Sequence, residues 1–212
     1  MKKSLLAICL MLISSLGVMS KNLDEKYVKA METAIGQLHT SKSIEDYQAA
    51  ANKFEMIGKN AKDEWLPAYY EAYCYSTMSF IEKDGKKRDI FVDKSEAILK
   101  GIKVENEEIL IMKAFNATAS LSIDGKNRWM VQGPIFDANL IAAEKLNPEN
   151  PRIYHLRANN LFYTPEAFGG GAKVACPLYQ KAKEKFETFN PESSISPNWG
   201  KEYNEMMLKN CK

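Results

Sequence analysis

The stretch FDANLIAAEKLNP, residues 136–148, decides the fold class. Its apolar residues Phe136, Leu140 and Ala143 stand at gaps of four and three, so they share one face of a helix. Pro148 follows and ends the pattern, because proline cannot continue a helix. The same gaps recur in Ala50-Phe54-Ile57 and in Ala182-Phe186-Phe189. We therefore predict one kind of amphipathic helix that is repeated along the chain.

Helical spacing extends over nearly the whole sequence, without the sustained apolar–polar alternation that indicates strands. The chain is therefore predicted to be all-α. We expect four helix pairs and a last helix: Leu23–His39 with Ser43–Lys62, Trp65–Lys83 with Arg88–Val104, Asn106–Ile123 with Gly133–Leu146, Pro151–Tyr163 with Cys176–Phe189, and then Asn198–Lys209. Prolines near helix starts support these boundaries, because the first turn has no use for the missing N–H; they are Pro67, Pro134, Pro151 and Pro177.

The first helices of three pairs carry a small residue at matching places, Ala72, Ala114 and Ala158, which are 42 and 44 residues apart. A small residue lets two helices approach closely. A hairpin repeated at this interval indicates a solenoid in which neighbouring hairpins bury each other's apolar faces. The predicted fold is a superhelix of about four antiparallel helix pairs with a C-terminal capping helix.

These patterns carry a resemblance to a known family. Residues 136–148, and Ala182-Phe186-Phe189 with Pro191, resemble the second helix of tetratricopeptide repeats. Ala72 with Tyr75, and Ala158 with Leu161, resemble the small residue and its partner in the first helix of that repeat. The resemblance covers most of residues 23–190, at a period longer than the family's roughly 34 residues. It implies a TPR-like superhelix whose first helices line a concave groove.

Two shorter segments resemble exported proteins. Residues 164–171, running into Tyr179, resemble exported repeat proteins of Gram-negative bacteria, some of which are accessory components of solute uptake. The tail from Asn198 to Cys211 resembles the close of a Bacteroidetes secreted repeat family. The chain is thus expected to be a degenerate TPR-like exported protein of the Bacteroidetes type.

The N-terminus has the pattern of a secretory signal. Lys2 and Lys3 precede an apolar run from Leu5 to Met19, and Ser20 ends a segment suitable for cleavage, so residues 1–20 are predicted to be a signal peptide. An uncleaved anchor is the alternative, although the run is short for a membrane span. Residues 21–212 are then one helical repeat domain without a transmembrane span. We expect it in the periplasm, in the cell envelope or secreted.

Three cysteines remain after removal of the signal peptide, and an exported protein reaches an oxidising compartment in which disulfides can form. Cys74 lies in an apolar helix pattern and is expected to be a core residue. Cys176 and Cys211 are predicted to form a disulfide that fastens the last helix to the body, with two unpaired thiols as the alternative.

Composition excludes several classes of function. Without the signal peptide, 27 basic residues face 27 acidic ones, which gives no electrostatic reason to expect a nucleic acid partner. Two histidines and four cysteines without a CxxC pair exclude a multi-histidine or cysteine-rich metal site. No nucleophile–base motif is present, so no catalytic residue and no cofactor are predicted. An enzyme is the least favoured of three classes.

The three matching alanines locate the groove. Positions three before, one after and four after each alanine are expected to face the concave side. Ile111 and Phe162 are two of these positions, and Arg152 lies near one end of the groove. The predicted groove is aromatic and neutral-polar, a composition that suits a peptide: Tyr69, Tyr73, Ser76, Phe115, Thr118, Arg152, His155 and Asn159. A face that is merely solvated is the alternative reading of these positions.

Two basic segments fall at corresponding places of neighbouring units. Residues 83–88 and 126–129 follow the first helix of their pairs, and Trp129 ends the second segment. Such segments are usually solvated loops. At matching repeat positions they could instead form one basic patch for an anionic partner.

The favoured function is a non-catalytic exported scaffold that binds an unidentified protein or peptide segment in the concave groove. The alternative is a small-solute-binding accessory component of an envelope transport system, with a pocket closed by the loop 169–171. An open groove favours the first hypothesis and an enclosed pocket favours the second.

Overall fold

The computed structural model describes residues 24–211, and the predicted signal peptide lies outside this range. The described residues contain nine α-helices and no strand, which confirms the all-α class. The helices are α1 Glu25–Thr40, α2 Ile44–Asn60, α3 Leu66–Ile81, α4 Gly85–Gly101, α5 Glu107–Ile123, α6 Gly125–Leu146, α7 Pro151–Tyr163, α8 Ala172–Thr188 and α9 Lys201–Leu208, with a short 3-10 turn at Glu166–Phe168.

Consecutive helices pack as antiparallel hairpins, and the hairpins stack in chain order. The pairs are α1 with α2, α3 with α4, α5 with α6, and α7 with α8. Helix α5 also packs against both α3 and α7, so these three helices form an inner layer while α4, α6 and α8 form an outer one. Helix α9 packs on α8 at the end of the stack. None of the helices in this part of the chain has the length and apolarity that crossing a membrane requires.

The apolar stripes predicted from the sequence supply the core. Phe54 of α2 is completely buried and its ring stacks on Tyr70 of α3, with the ring centroids 5.1 Å apart. Phe136 and Leu140 of α6 pack with Ile153 of α7 in the next part of the stack. Each such side chain contributes roughly 1.5–3 kcal/mol by leaving water. The stability of the stack therefore depends on each hairpin burying apolar side chains of its neighbour.

Four predicted helix starts differ from the structure by three residues or more: α4 begins at Gly85 rather than Arg88, α9 begins at Lys201 rather than Asn198, and the starts of α6 and α8 differ further. Helix α6 begins at Gly125 rather than Gly133, and α8 begins at Ala172 rather than Cys176, so Pro134 and Pro177 lie inside helices and the boundaries inferred from them are wrong. Helix α6 starts early because Asp124 is a good N-cap: its Oδ1 accepts a hydrogen bond from the Asn127 amide at 3.2 Å. Pro67 and Pro151 do stand in first turns.

A disulfide joins Cys176 to Cys211, with the Cα atoms 5.6 Å apart. Cys176 lies in the first two turns of α8, and Cys211 follows the end of α9. The bridge closes a loop of 35 residues that includes all of α9. The last helix is therefore covalently fastened to the hairpin on which it packs.

Candidate functional site

The inner layer, where the groove is predicted, is partly covered by the chain itself. Residues 189–200, here called the return segment, connect α8 to α9 without forming a helix and run across the inner face. The Tyr70 hydroxyl donates to the carbonyl of Ile195 at 3.0 Å, and Ile195 is completely buried. Nε1 of Trp199 donates to the Tyr69 hydroxyl oxygen at 2.7 Å. These bonds attach the return segment to α3.

A buried ion pair lies beneath the return segment. Arg152 is completely buried and its Nη2 donates to Oε1 of Glu108, which also accepts from Nδ2 of Asn150 at 2.6 Å. The guanidinium carbon of Arg152 lies 4.7 Å from the ring centroid of Phe189 and 5.7 Å from that of Trp199. These are cation–π distances. Arg152 therefore fastens both ends of the return segment to the inner layer.

A second polar network holds α9. Nδ1 of His155 and Oδ1 of Asn204 are 3.2 Å apart, and Nδ2 of Asn159 lies 3.0 Å from Nε2 of the same imidazole. The Tyr179 hydroxyl donates to Oδ1 of Asn159 at 2.6 Å, and Nδ2 of Asn204 donates to the Tyr179 carbonyl at 2.9 Å. This closed ring of bonds requires a neutral imidazole with its proton on Nδ1. Burial lowers the pKa of His155 to about 4, in agreement with that form.

An aromatic cluster remains at the surface of the inner face. We define the aromatic cluster as Tyr73, Phe80, Phe115 and Trp199. The ring of Phe115 stacks on Tyr73 at a centroid distance of 5.5 Å and contacts Phe80 at 5.4 Å and Trp199 at 5.2 Å. Phe80 is 39% exposed, and the other three rings are half-buried. Ring faces from α3, α5 and the return segment thus form one apolar surface.

Two phenols stand farther along the same face. The hydroxyl oxygens of Tyr163, at the end of α7, and Tyr203, in α9, are 3.1 Å apart, and both side chains are exposed. The edge of the Tyr203 ring meets the ring of His155 at a centroid distance of 5.7 Å. Burial raises the pKa of the Tyr203 phenol, which stays protonated and able to donate a hydrogen bond. This end of the inner face therefore offers hydrogen-bonding groups beside apolar rings.

The structure divides the predicted groove residues into two sets. Four are buried under the return segment or between helices and face no solvent: Tyr69, Ser76, Arg152 and His155. Four are half-buried: Tyr73, Phe115, Thr118 and Asn159. Of these, Tyr73 and Phe115 meet in the aromatic cluster, whereas the Thr118 hydroxyl donates to the Ala114 carbonyl and Asn159 belongs to the histidine network.

Trp199, Phe80 and Tyr203 belong to the candidate site but were not predicted from the sequence. Phe80 follows Tyr73 by seven residues, so the helical period itself places it on the same face. Trp199 is a large apolar residue in an otherwise polar stretch, a signal that the stretch packs on something. The path of the return segment across α3 and α5 has no local signal, because it follows from contacts between residues more than a hundred positions apart.

The described residues contain no group of three or more His, Cys, Asp or Glu side chains placed to hold a metal ion. The site is thus made of rings, phenols and amides.

Comparison with known proteins gives one informative likeness. No family model matches the chain, and no curated protein sequence matches it. The chain is similar to a solved structure, the HusA haemophore from Porphyromonas gingivalis, a member of the Bacteroidetes, with 28% sequence identity and a TM-score of 0.77. The match covers 92% of this chain and 96% of that chain. The helical stack described here is therefore shared, nearly end to end, with a protein described as a haemophore.

Proposed function

We propose that this chain is a non-catalytic exported protein that binds a flat, largely apolar small molecule against the aromatic cluster. The ligand class is haem or a related tetrapyrrole. The observation that carries the proposal is the set of four touching rings left partly open on the inner face. The likeness to a haemophore supports the choice of ligand.

The chemistry of the face suits such a ligand. A tetrapyrrole has a broad π surface, and aromatic rings stack favourably at centroid distances of about 4.5–7 Å. Phe80 and Phe115 can cover part of one face of the macrocycle, while the hydroxyls of Tyr163 and Tyr203 can donate to its carboxylates. Few polar groups beside a mainly apolar surface are typical of small-molecule sites.

The return segment argues against a peptide as the occupant of this groove. It already lies as an irregular chain over Tyr69, Tyr70 and Arg152, and its bonds use the polar groups that an incoming peptide would need. The aromatic cluster lies on an open surface and not in an enclosed pocket, but the covered groove and the likeness to a haemophore give the small-solute alternative more support than the scaffold hypothesis. We accordingly favour a solute carrier in an envelope transport system.

His155 is not available to ligate the iron of a bound haem. Both ring nitrogens of His155 already have partners inside the protein, and the side chain is 3% exposed. His39 lies at the end of α1, which packs on α2 and away from the aromatic cluster. We therefore expect metal-free protoporphyrin IX to bind about as tightly as haem.

Absorbance titration tests the proposal. Haemin and metal-free protoporphyrin IX are each titrated into the chain 21–212 with its disulfide formed, and the shift of the main absorbance band is followed. Phe115→Ala combined with Phe80→Ala should weaken binding on the order of ten-fold, since each stacked ring contributes roughly 0.5–1.5 kcal/mol beyond its area.

Phe91→Ala is the matched control. Phe91 is a half-buried phenylalanine of α4 whose ring contacts Tyr75, in the outer layer of the stack. Its removal should leave the affinity within about two-fold of the wild type. Equal affinities for all three proteins, or saturation by neither porphyrin, would contradict the proposal.

A further inference from the structure

Three turns of the stack lie at one edge of the molecule. The connections α3–α4, α5–α6 and α7–α8 each take the chain from the inner to the outer layer, so stacked hairpins bring them together. The Arg88 side chain donates to Oγ of Ser122 at 2.6 Å, and Arg128 pairs with Asp89 through two bonds of 2.6 and 3.1 Å. These contacts join the first two turns. We call residues 80–90, 121–131 and 163–174 the turn edge.

Exposed aromatic residues are concentrated at the turn edge. Among the described residues, the aromatic side chains with more than a third of their surface exposed are Phe80, Trp129, Tyr163, Phe168 and Tyr203. The first four belong to the turn edge, and Tyr203 contacts Tyr163. Trp129 is 62% exposed and Phe168 is 81% exposed. Large exposed side chains near the opposite edge are aliphatic: Met56, Val104 and Leu146.

Lysines surround these rings. Five exposed lysines stand in the turns or in the first helical turn after them: Lys83, Lys86, Lys87, Lys126 and Lys173. The neighbouring carboxylates are turned toward the backbone, because Glu82 accepts from the amides of Lys83 and Asp84, while Asp84 and Asp124 cap helices. Asp89, which pairs with Arg128, and exposed Glu166 add to these carboxylates, so the turn edge holds seven basic side chains and five acidic ones and has a small positive formal charge of +2.

We infer that the turn edge docks on an anionic phospholipid bilayer. Tryptophan, tyrosine and phenylalanine prefer the depth of the lipid headgroups, and lysines beside them are attracted to anionic lipids. Trp129 and Phe168 enter the interface, while Lys126 and its neighbours contact headgroup phosphates. When the protein is docked in this way, Phe80 and Tyr163 lie near the lipid. The aromatic cluster, to which Phe80 belongs, then opens beside the membrane surface.

The arrangement of the apolar groups favours a lipid surface over a protein. A helix or a second copy of the chain would require a continuous apolar stripe for close packing. The exposed rings instead come from three separate turns, each with exposed aliphatic neighbours such as Ile81, Met130, Val131 and Val174, and the exposed lysines Lys126 and Lys173 lie between these groups. Separate rings with intervening cations match the lipid interface, which accepts side chains one by one.

Vesicle flotation tests the inference. The chain 21–212 is mixed with vesicles of phosphatidylglycerol and phosphatidylethanolamine, and with vesicles of phosphatidylcholine alone. We expect binding to the anionic vesicles and at least roughly ten-fold less to the neutral ones, with a loss at high salt. Trp129→Ser with Phe168→Ser should reduce binding on the order of ten-fold, and so should Lys126→Glu.

Matched controls come from the other end of α6. Leu146→Ser removes an exposed apolar side chain, and Lys145→Glu reverses an exposed charge, both away from the turn edge. Both should bind vesicles like the wild type. Equal binding to the two vesicle types, or wild-type binding by the Trp129 and Phe168 double variant, would overturn the inference. So would self-association that this double variant abolishes, since a second copy would then be the occupant.

The result is independent of the proposed solute site. Trp129 and Phe168 lie outside the aromatic cluster, so their double variant should titrate with protoporphyrin IX like the wild type. A chain that binds vesicles without binding a porphyrin would contradict only the proposed function.

Discussion

Arg152 and His155 stand three residues apart on α7, and between them they hold the end of the chain in place. Arg152 reaches the rings of Phe189 and Trp199 at the two ends of the return segment, and His155 reaches Asn204 in α9. Loss of Asn204 would leave a buried ring nitrogen of His155 without a hydrogen bond. Nε and Nη1 of buried Arg152 have no hydrogen-bond partner among the described residues, so the guanidinium depends on the rings of Phe189 and Trp199. Two polar residues therefore determine where an irregular segment lies.

Titration of His155 should make the fold sensitive to acid. The unfolded chain takes up a proton near pH 6.5, whereas the buried imidazole stays neutral down to about pH 4. Acid therefore favours the unfolded state, and the stabilisation from His155 is complete above pH 6.5 and lost progressively toward pH 4. The shift corresponds to about 3 kcal/mol. Urea unfolding of the wild type and of His155→Gln at several pH values measures this contribution. The comparison isolates the contribution of His155 to the free energy of unfolding, because all other groups titrate in both proteins.

The free energy by which the wild type exceeds His155→Gln should shrink as the pH falls from 6.5 to 4. His39→Gln, which removes the other imidazole of the chain at the exposed end of α1, is the control for the substitution itself. A constant difference between wild type and His155→Gln across this range would contradict the prediction.

At the residue scale, the sequence predicted the helix face on which a side chain lies better than it predicted whether that side chain is exposed. The helical period places Tyr69, Tyr73 and His155 on the inner face, but it cannot tell which of them another segment covers. Tyr69 and Arg152 were expected in an open groove and are buried under residues 195–199. The covering contacts depend on long-range packing, which no local spacing encodes.

Helix α6 is the element that departs most from simple rules. It runs for 22 residues with Pro134 inside it, where proline removes one hydrogen bond to the preceding turn and its ring crowds the carbonyl of Met130. The helix continues because Asp124 caps its start and because Phe136 and Leu140 pack it against the core. Tertiary packing thus outweighs the local preference of one residue.

Replacement of this proline should stabilise the protein. Pro134 is exposed, so Pro134→Ala loses little packing and restores an N–H that can donate to the Met130 carbonyl. We expect the free energy of unfolding to rise by about 1–3 kcal/mol in urea titration. Pro165→Ala, at an exposed loop position with a φ of −59°, should give no such gain. An unchanged or lower stability of Pro134→Ala would show that the helix already accommodates the proline without cost.

Helix boundaries were predictable wherever caps and apolar period agreed. Ser43 and Asp46 form a capping box, and α2 begins beside them as predicted. Where a proline was taken as the marker of a start, as at Pro134 and Pro177, the boundary was wrong: the Asp124 cap starts α6 earlier, and α8 starts earlier without a side-chain cap and buries Ala175 ahead of its proline. A cap and a proline can therefore mark two different starts for one helix, and the packing of the whole helix decides between them.

At the scale of the whole molecule, the stack is closed by its own C-terminal part. The return segment covers α3 and α7, contributes Trp199 to the aromatic cluster, and leads into α9, which the disulfide fastens to α8. The all-α class and the order of the hairpins followed from the sequence pattern. The shape of the binding face did not, because it is completed by residues outside the repeat.

Removal of the disulfide should cost substantial stability. A bridge that closes a loop of 35 residues restricts the unfolded chain by about 4 kcal/mol in the loop-entropy estimate. Cys176→Ser with Cys211→Ser should lose about 2–4 kcal/mol in urea unfolding, with faster hydrogen exchange in α9 than in α3. Reduced wild type is the control and should match the variant. A loss below about 1 kcal/mol would contradict the loop-entropy account of this bridge.

The position of Trp199 and Tyr203 in the chain also sets the order in which the molecule matures. A ribosome makes the four hairpins before it makes the residues that finish the binding face, and a nascent chain therefore has Tyr69, Arg152 and His155 uncovered for a time. Under the proposed function, ligand capture depends on these last residues. On the same proposal, a chain cut short after α8 would lack Trp199, Tyr203 and the disulfide and would not bind the ligand.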